Sequence, residues 1–250
     1  DVRPYNFTQN ERIPVWVPEN AVADMEKRCQ TLMFPHGPFT ECYGRVQEAV
    51  VRTHAGQCAQ AIELAGRIAE IATENGLDEW VMISATAAAN AGAKAALAGP
   101  QPDMAALGES TATLATLVQV WRDFELKAFL CWYDAGLTAA LLGAGDVQGA
   151  RRQLDMALQM SAETSWHLFD AELLRLRAHT QDSAVDRDAD LENAMELSRT
   201  QGAVVLELAV AADRLRIHGD RCRADLEQVI ARLPADQDWP ALAEARALLH

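Results

Sequence analysis

Along residues 57–75, apolar side chains recur at Ala61, Leu64, Ala65, Ile68 and Ala72, the spacing of one face of an α-helix. Residues 146–161 repeat the arrangement with Val147, Ala150, Leu154, Ala157 and Leu158. No segment alternates with period two in β-branched residues, so the pattern predicts helices and no sheet. Residues 1–20, with Pro4, Pro14 and Pro18, show no sustained period and read as an extended lead-in or an incomplete first repeat. Residues 21–250 read as a single helical-repeat domain.

The punctuation between the periodic stretches is regular. Asn75-Gly76 predicts a helix end and Asp78 the N-cap of the next helix. Pro100 and Pro102 break a second pair, residues 143–145 form a tight corner, and Thr164 and Ser165 are expected to cap the helix carrying Trp166. Gly56, Gly145 and Gly219 are each followed five residues later by an alanine (Ala61, Ala150, Ala224), and seven residues beyond come Ile68, Ala157 and Ala231. Gly99 marks a further turn, with Gly92 seven residues before it. The turns at 56, 99 and 145 lie about 45 residues apart, longer than the roughly 34 of the strict tetratricopeptide unit. Between 145 and 219 there is room for two units of about 37, which places another turn near Ser183. A single glycine–alanine pair would signify nothing, because alanine favours helix anywhere. Three at one offset predict an all-α, tetratricopeptide-like superhelix, an α-solenoid of about five helix hairpins. Its concave face would be lined by the first helix of each pair, where small residues let helices approach closely.

Charge narrows the partners. The net charge of −14, with only Lys27, Lys94 and Lys127 as lysines, argues against direct nucleic-acid binding and against acidic membrane surfaces. No signal peptide or membrane-length apolar run is seen; the longest candidate, residues 80–93, is mostly alanine. Cys29, Cys42, Cys58, Cys131 and Cys222 have no metal-ligand spacing and read as buried, reduced thiols of a cytoplasmic protein. The chain begins at Asp1 without an initiator Met, and a piece excised from a longer protein is expected.

No catalytic constellation emerges. There is no Gly-Lys dipeptide and hence no phosphate-binding loop, no GxSxG elbow, and no HExxH among His36, His54, His167, His179, His218 and His250. Asp186, Asp188 and Asp190 read as a solvated loop, since a calcium loop needs a glycine and a distal Glu that are missing. No cofactor, metal site or catalytic residue is expected. The aromatics Tyr43, Trp80, Trp121, Trp132, Tyr133, Trp166 and Phe169 are placed at or near helix starts, either as inter-helix packing, the stronger reading, or as a ligand-gripping groove. Tyr43 and Trp132 share an offset from their glycine turns that tends to face the groove. The candidate ligand or partner contacts are Tyr43, Val46, Val50, His54, Trp80 and Trp132.

Several stretches carry a family resemblance. WHLFDAELLRLR (166–177), ADLENAMELSRTQGAVVLEL (189–208) and DWPALAEARALL (238–249) resemble the C-terminal helical region of large bacterial signalling proteins. FPHGPF (34–39) followed by Tyr43, and GLDEW (76–80), are similar to further elements of it. Those proteins, abundant in actinobacteria and mycobacteria, join an adenylate or guanylate cyclase-like domain and a signal-transduction ATPase to such a region, and some end in a LuxR-type helix-turn-helix. The cyclase, ATPase and DNA-reading residues have no counterpart here, so nothing catalytic carries over. The resemblance implies a regulatory module of a transcriptional regulator or cyclase, its concave face taking a protein partner or small-molecule inducer and its parent chain supplying ATPase or cyclase domains. The alternative is a structural scaffold that self-associates into a homo-oligomer without a ligand.

Overall fold

The computed structural model describes residues 37–127, 129–165, 167–233 and 238–250. Among these residues it is helical, without strands. The helices are α1 (Pro38–His54), α2 (Cys58–Glu74), α3 (Asp78–Leu97), α4 (Met104–Asp123), α5 (Leu130–Gly143) and α6 (Val147–Thr164). They continue as α7 (Asp170–Ala178), α8 (Ala184–Gln201), α9 (Val204–His218), α10 (Arg223–Ala231) and α11 (Pro240–Ala247). Consecutive helices pair as five hairpins, α1–α2 through α9–α10, with α11 left over, so the helical-repeat architecture read from the sequence stands. The expected lead-in, residues 1–20, lies outside the described residues, as do Cys29, His36 and Trp166.

The stripe predicted on α2 is the one that buries: Ala61, Ala65, Ile68 and Ala72 are each at most 1% exposed. Hairpin turns fall at Gly56, Gly99, Gly145 and Gly219, all at positive φ, and after Thr180 in the fourth pair, where Ser183 caps α8. Asp103 and Asp146 cap α4 and α6 through backbone amides.

The third glycine–alanine pair departs from expectation: Ala224 and Ala231 are exposed. Here a 3₁₀ turn, Gly219–Cys222, intervenes, so α10 starts four residues after its glycine, whereas α2 and α6 start two after theirs. Measured from the helix start the register holds. The fourth residue is Ala61 in α2, Ala150 in α6 and Leu226 in α10, all buried. Other local expectations are corrected too. Asp78 is the first residue of α3, with Leu77 as N-cap and no side-chain cap. Ser165 ends α6 in the left-handed conformation rather than capping α7. Val147 is exposed at the tip of α6, and Trp121 sits near the end of α4, not near a start. Asp186, Asp188 and Asp190 lie within α8, where Asp190 is buried and receives Arg177, so they are not a loop.

The first helices of successive hairpins contact one another in order, α1–α3–α5–α7–α9, and α9 returns to touch α1. The superhelix therefore curls into a closed ring within five hairpins. Helix α11 seals the seam. Trp239, Leu242 and Ala245 bury, and Ala241 N–H donates to the Ala55 carbonyl at 3.1 Å. Gly56 is required at this joint. Its φ is +84°, and a Cβ there would lie 3.0 Å from Pro240 Cβ and 3.3 Å from the Ala241 nitrogen. No described helix is long and apolar enough to cross a membrane.

Candidate functional site: a cavity inside the ring

The first helices of all five hairpins, together with α11, surround a cavity of about 310 Å³. That is the lower end of the range of small-molecule sites. Much of its lining is alanine, including Ala135 and Ala139 of α5 and Ala209 and Ala212 of α9. Small side chains leave the space open, whereas leucines at these positions would fill it.

On the α3–α5 wall, Asn90 and Lys94 stand one turn apart on α3, and Trp132 and Gly136 one turn apart on α5. Gly136 makes room for Asn90: a Cβ at 136 would fall 1.9 Å from Asn90 Oδ1. Asn90 is 3% exposed and Trp132 1%. Among the described residues, neither Asn90 Nδ2 nor Trp132 Nε1 has a hydrogen-bond acceptor. Buried donors of this kind are rare, because each unmade bond costs about 1–3 kcal/mol. Lys94 Nζ donates to the His54 carbonyl at 3.1 Å and forms no ion pair with a described carboxylate. Burial pushes its pKa below the ordinary 10.5, against the pull of Glu172, Cys58 and Glu244. The His54 ring stacks on Phe169 at 5.7 Å. Burial, with Lys94 beside it, takes its pKa from 6.5 to about 3, so it is neutral at pH 7.

The α7–α9 wall is charged and internally matched. Arg175 donates to both oxygens of Glu172 at 2.7 and 2.8 Å and to Asp213 Oδ2 at 2.5 Å. His179 Nε2 lies 2.7 Å from the same Asp213 oxygen, and Arg216 donates to the other at 2.9 Å. Burial alone would raise both carboxyls, but Arg175 outweighs it, and Glu172 and Asp213 end below their ordinary values. Arg175 is correspondingly pushed up by Glu172 and Asp213 despite burial.

Of the six sequence candidates, His54 and Trp132 line the cavity. Val46, Val50 and Trp80 are instead buried in the main hydrophobic core, and Tyr43 packs against it. Tyr43 and Trp80 meet edge-on at 6.3 Å beside Phe129, toward the N-terminal ends of their helices. The cavity touches α1 and α3 near their C-terminal ends, so the offset shared by Tyr43 and Trp132 does not put them on one surface. Trp80 Nε1 also lacks an acceptor, but within that aromatic cluster, away from the cavity. Sequence reasoning missed Asn90 and Lys94. The available signal was two polar residues four apart in an otherwise alanine-rich helix.

One cluster invites a catalytic reading and fails it. Ser161 Oγ and Asp170 Oδ2 both approach the same ring nitrogen, His167 Nδ1, at 3.0 and 2.8 Å, and Ser161 donates to Asp170 at 2.6 Å. A relay needs the acid and the hydroxyl on opposite ring nitrogens. Among the described residues no group of three or more His, Cys, Asp or Glu side chains is placed to hold a metal ion. Cys42, Cys58, Cys131 and Cys222 are free and buried. Burial raises the Cys131 thiol to about 12, which disfavours the nucleophilic thiolate. Comparison of the chain with protein-family models, with curated proteins and with solved structures finds no match.

Proposed function

We propose that the chain is a non-catalytic sensor module that takes up a small molecule inside its helical ring and relays occupancy to effector domains of a longer signalling protein. The observation that carries this reading is a cavity shared by all five hairpins and walled largely by alanine. A ligand there touches every repeat at once. It can therefore favour one curvature of the stack over another, which is the differential affinity a relay requires. The closed seam at Ala55 and Ala241 favours a small molecule over a folded protein on the concave face. The resemblance to the helical regions of bacterial cyclase-type and LuxR-type ATPases supplies the class of effector, and a regulatory role in the cytoplasm goes with it.

The test is a melting-temperature screen of the purified chain against a small-metabolite library, beside an Ala209→Phe variant that fills the cavity. A saturable rise in Tm with the parent chain that disappears in the filled variant is expected. A reversible dimer by sedimentation, with no compound shifting either protein, would replace this reading by the self-association scaffold.

A further inference from the structure

The charges that line the cavity balance, and all but two of them are matched within the protein. The cations are Lys94, Arg175 and Arg216, and the carboxylates are Glu172, Asp213 and Glu244. His54, neutral at pH 7, adds none. Glu172 and Asp213 take Arg175 and Arg216 into ion pairs on the α7–α9 wall. That leaves one ammonium and one carboxylate. Lys94, half-buried on α3, has only the His54 carbonyl and keeps two more protons to donate. Glu244, exposed on α11, has no ion-pair or hydrogen-bond partner for its side chain among the described residues. Both line the same cavity and their charges act on each other, yet no ion pair joins them. The Nδ2 of Asn90 and the Nε1 of Trp132 are sealed within the wall and offer a ligand nothing. The Asn90 oxygen is neither bonded nor sealed, and adds one acceptor.

We propose that this cavity binds a small zwitterion of the amino-acid class, its carboxylate on Lys94 and its ammonium on Glu244. The proposal rests on the sensor reading above and specifies its ligand class. Charge selects a zwitterion. A monoanion would answer Lys94 and crowd Glu244, Glu172 and Asp213; a monocation would answer Glu244 and crowd Lys94 and the two arginines. A ligand carrying both charges gives each unmatched group its opposite, through the charge-assisted hydrogen bonds that are the strong ones. The volume of about 310 Å³ holds on the order of ten water-sized groups, so the ligand is a single amino acid rather than a peptide. Its side chain lies against the alanine lining. Bound in this way the zwitterion also bridges α3 to α11. Because α11 seals the ring through the hydrogen bond from Ala241 to Ala55, occupancy tightens the joint where the stack closes.

The experiment is isothermal titration of the full 250-residue chain, with hydrogen exchange followed at the Ala241 amide. The probes are α- and ω-amino acids of about five to twelve non-hydrogen atoms, their deaminated acids, which lack the ammonium, and their primary amides, which lack the carboxylate. The best-binding amino acid is expected to exceed either singly charged analogue by at least about tenfold, since a hydrogen bond to a charged group is worth more than a neutral one. It should also slow exchange at Ala241. Glu244→Gln, at an exposed position, should bring the amino acid down to the affinity of its deaminated acid and cancel the slowing. Lys94→Met should bring it down to that of its amide. The glutamate variant carries the test alone should the lysine variant fold poorly. A deaminated acid or an amide that binds as tightly as the amino acid would overturn the ligand class and leave the sensor reading intact. Amino-acid binding undiminished in both variants would overturn the assignment to Lys94 and Glu244. If no probe binds at millimolar concentration, the proposal falls; the sensor reading falls with it only if the metabolite library also shifts no Tm.

Discussion

The two halves of the ring bury polar groups in opposite ways. On the α7–α9 side, Glu172, Arg175 and Asp213 come from two helices and satisfy one another, so the wall is stable as it stands. On the α3–α5 side, Asn90 and Trp132 sit among alanines with buried donors that find no acceptor among the described residues, and Lys94 has only the His54 carbonyl. The first arrangement is matched within the protein; the second is not. Burial and charge are therefore poor guides to function by themselves. What separates structure from site here is whether the protein supplies the partner.

The contrast can be broken most forcefully at Arg175. Arg175→Met strips the shared cation from two buried carboxylates and is expected to cost about 3–5 kcal/mol in urea unfolding. A loss under about 1 kcal/mol would mean the wall is solvated rather than matched.

Acid should weaken the fold through His54 before it reaches that wall. Its folded pKa, about 3, lies below the ordinary 6.5. The unfolded chain therefore takes up a proton first as pH falls. The stability that His54 contributes is complete above pH 6.5 and is lost progressively down to about 3, at up to about 1.4 kcal/mol per pH unit. Replacing His54 with Phe, which keeps the stack on Phe169, should flatten this limb of the stability–pH curve. Glu172 and Asp213, whose pKa values are lowered, add a second loss at more acidic pH, as the curve falls through the ordinary carboxylate range; that limb should survive the substitution.

The seam offers a smaller effect. Gly56→Ala forces a Cβ into a left-handed position against Pro240 and should cost about 1–3 kcal/mol, with faster hydrogen exchange at the Ala241 amide. Unchanged exchange there would show that the joint does not depend on glycine. The smallest effect belongs to the other wall. Lys94→Met removes a half-buried cation that has no ion pair among the described residues, and thermal unfolding should change by less than about 1 kcal/mol in either direction. Set beside Arg175→Met, it is the sharpest check on the difference between the walls.

Much of the fold was legible because it is local. The glycine turns at 56, 99, 145 and 219 and the buried faces of α2 and α6 follow from short-range pattern. Leu226 was not foreseen, since a 3₁₀ turn that moves a helix start by two residues leaves no clear mark in hydrophobicity. At the site, His54 and Trp132 were among the sequence candidates, Trp132 through its offset from the Gly145 turn. Asn90 and Lys94 were hidden in a stretch that reads as plain alanine helix. The segments carrying the family resemblance contain Glu172, Arg175 and Glu207. In the structure Glu172 and Glu207 are buried and Arg175 half-buried, all three in ion pairs, so these residues hold helices together.

By itself the sequence determined the helices, the number of hairpins and the placing of small residues where helices cross, because each depends on neighbours within a few turns of chain. Only the tertiary structure decided that the stack closes on itself, that α11 seals it against Gly56, and that Arg175 finds Asp213 across 38 residues. Curvature is a sum of small rotations at each interface, and no single interface's sequence records where that sum brings the two ends of the chain together.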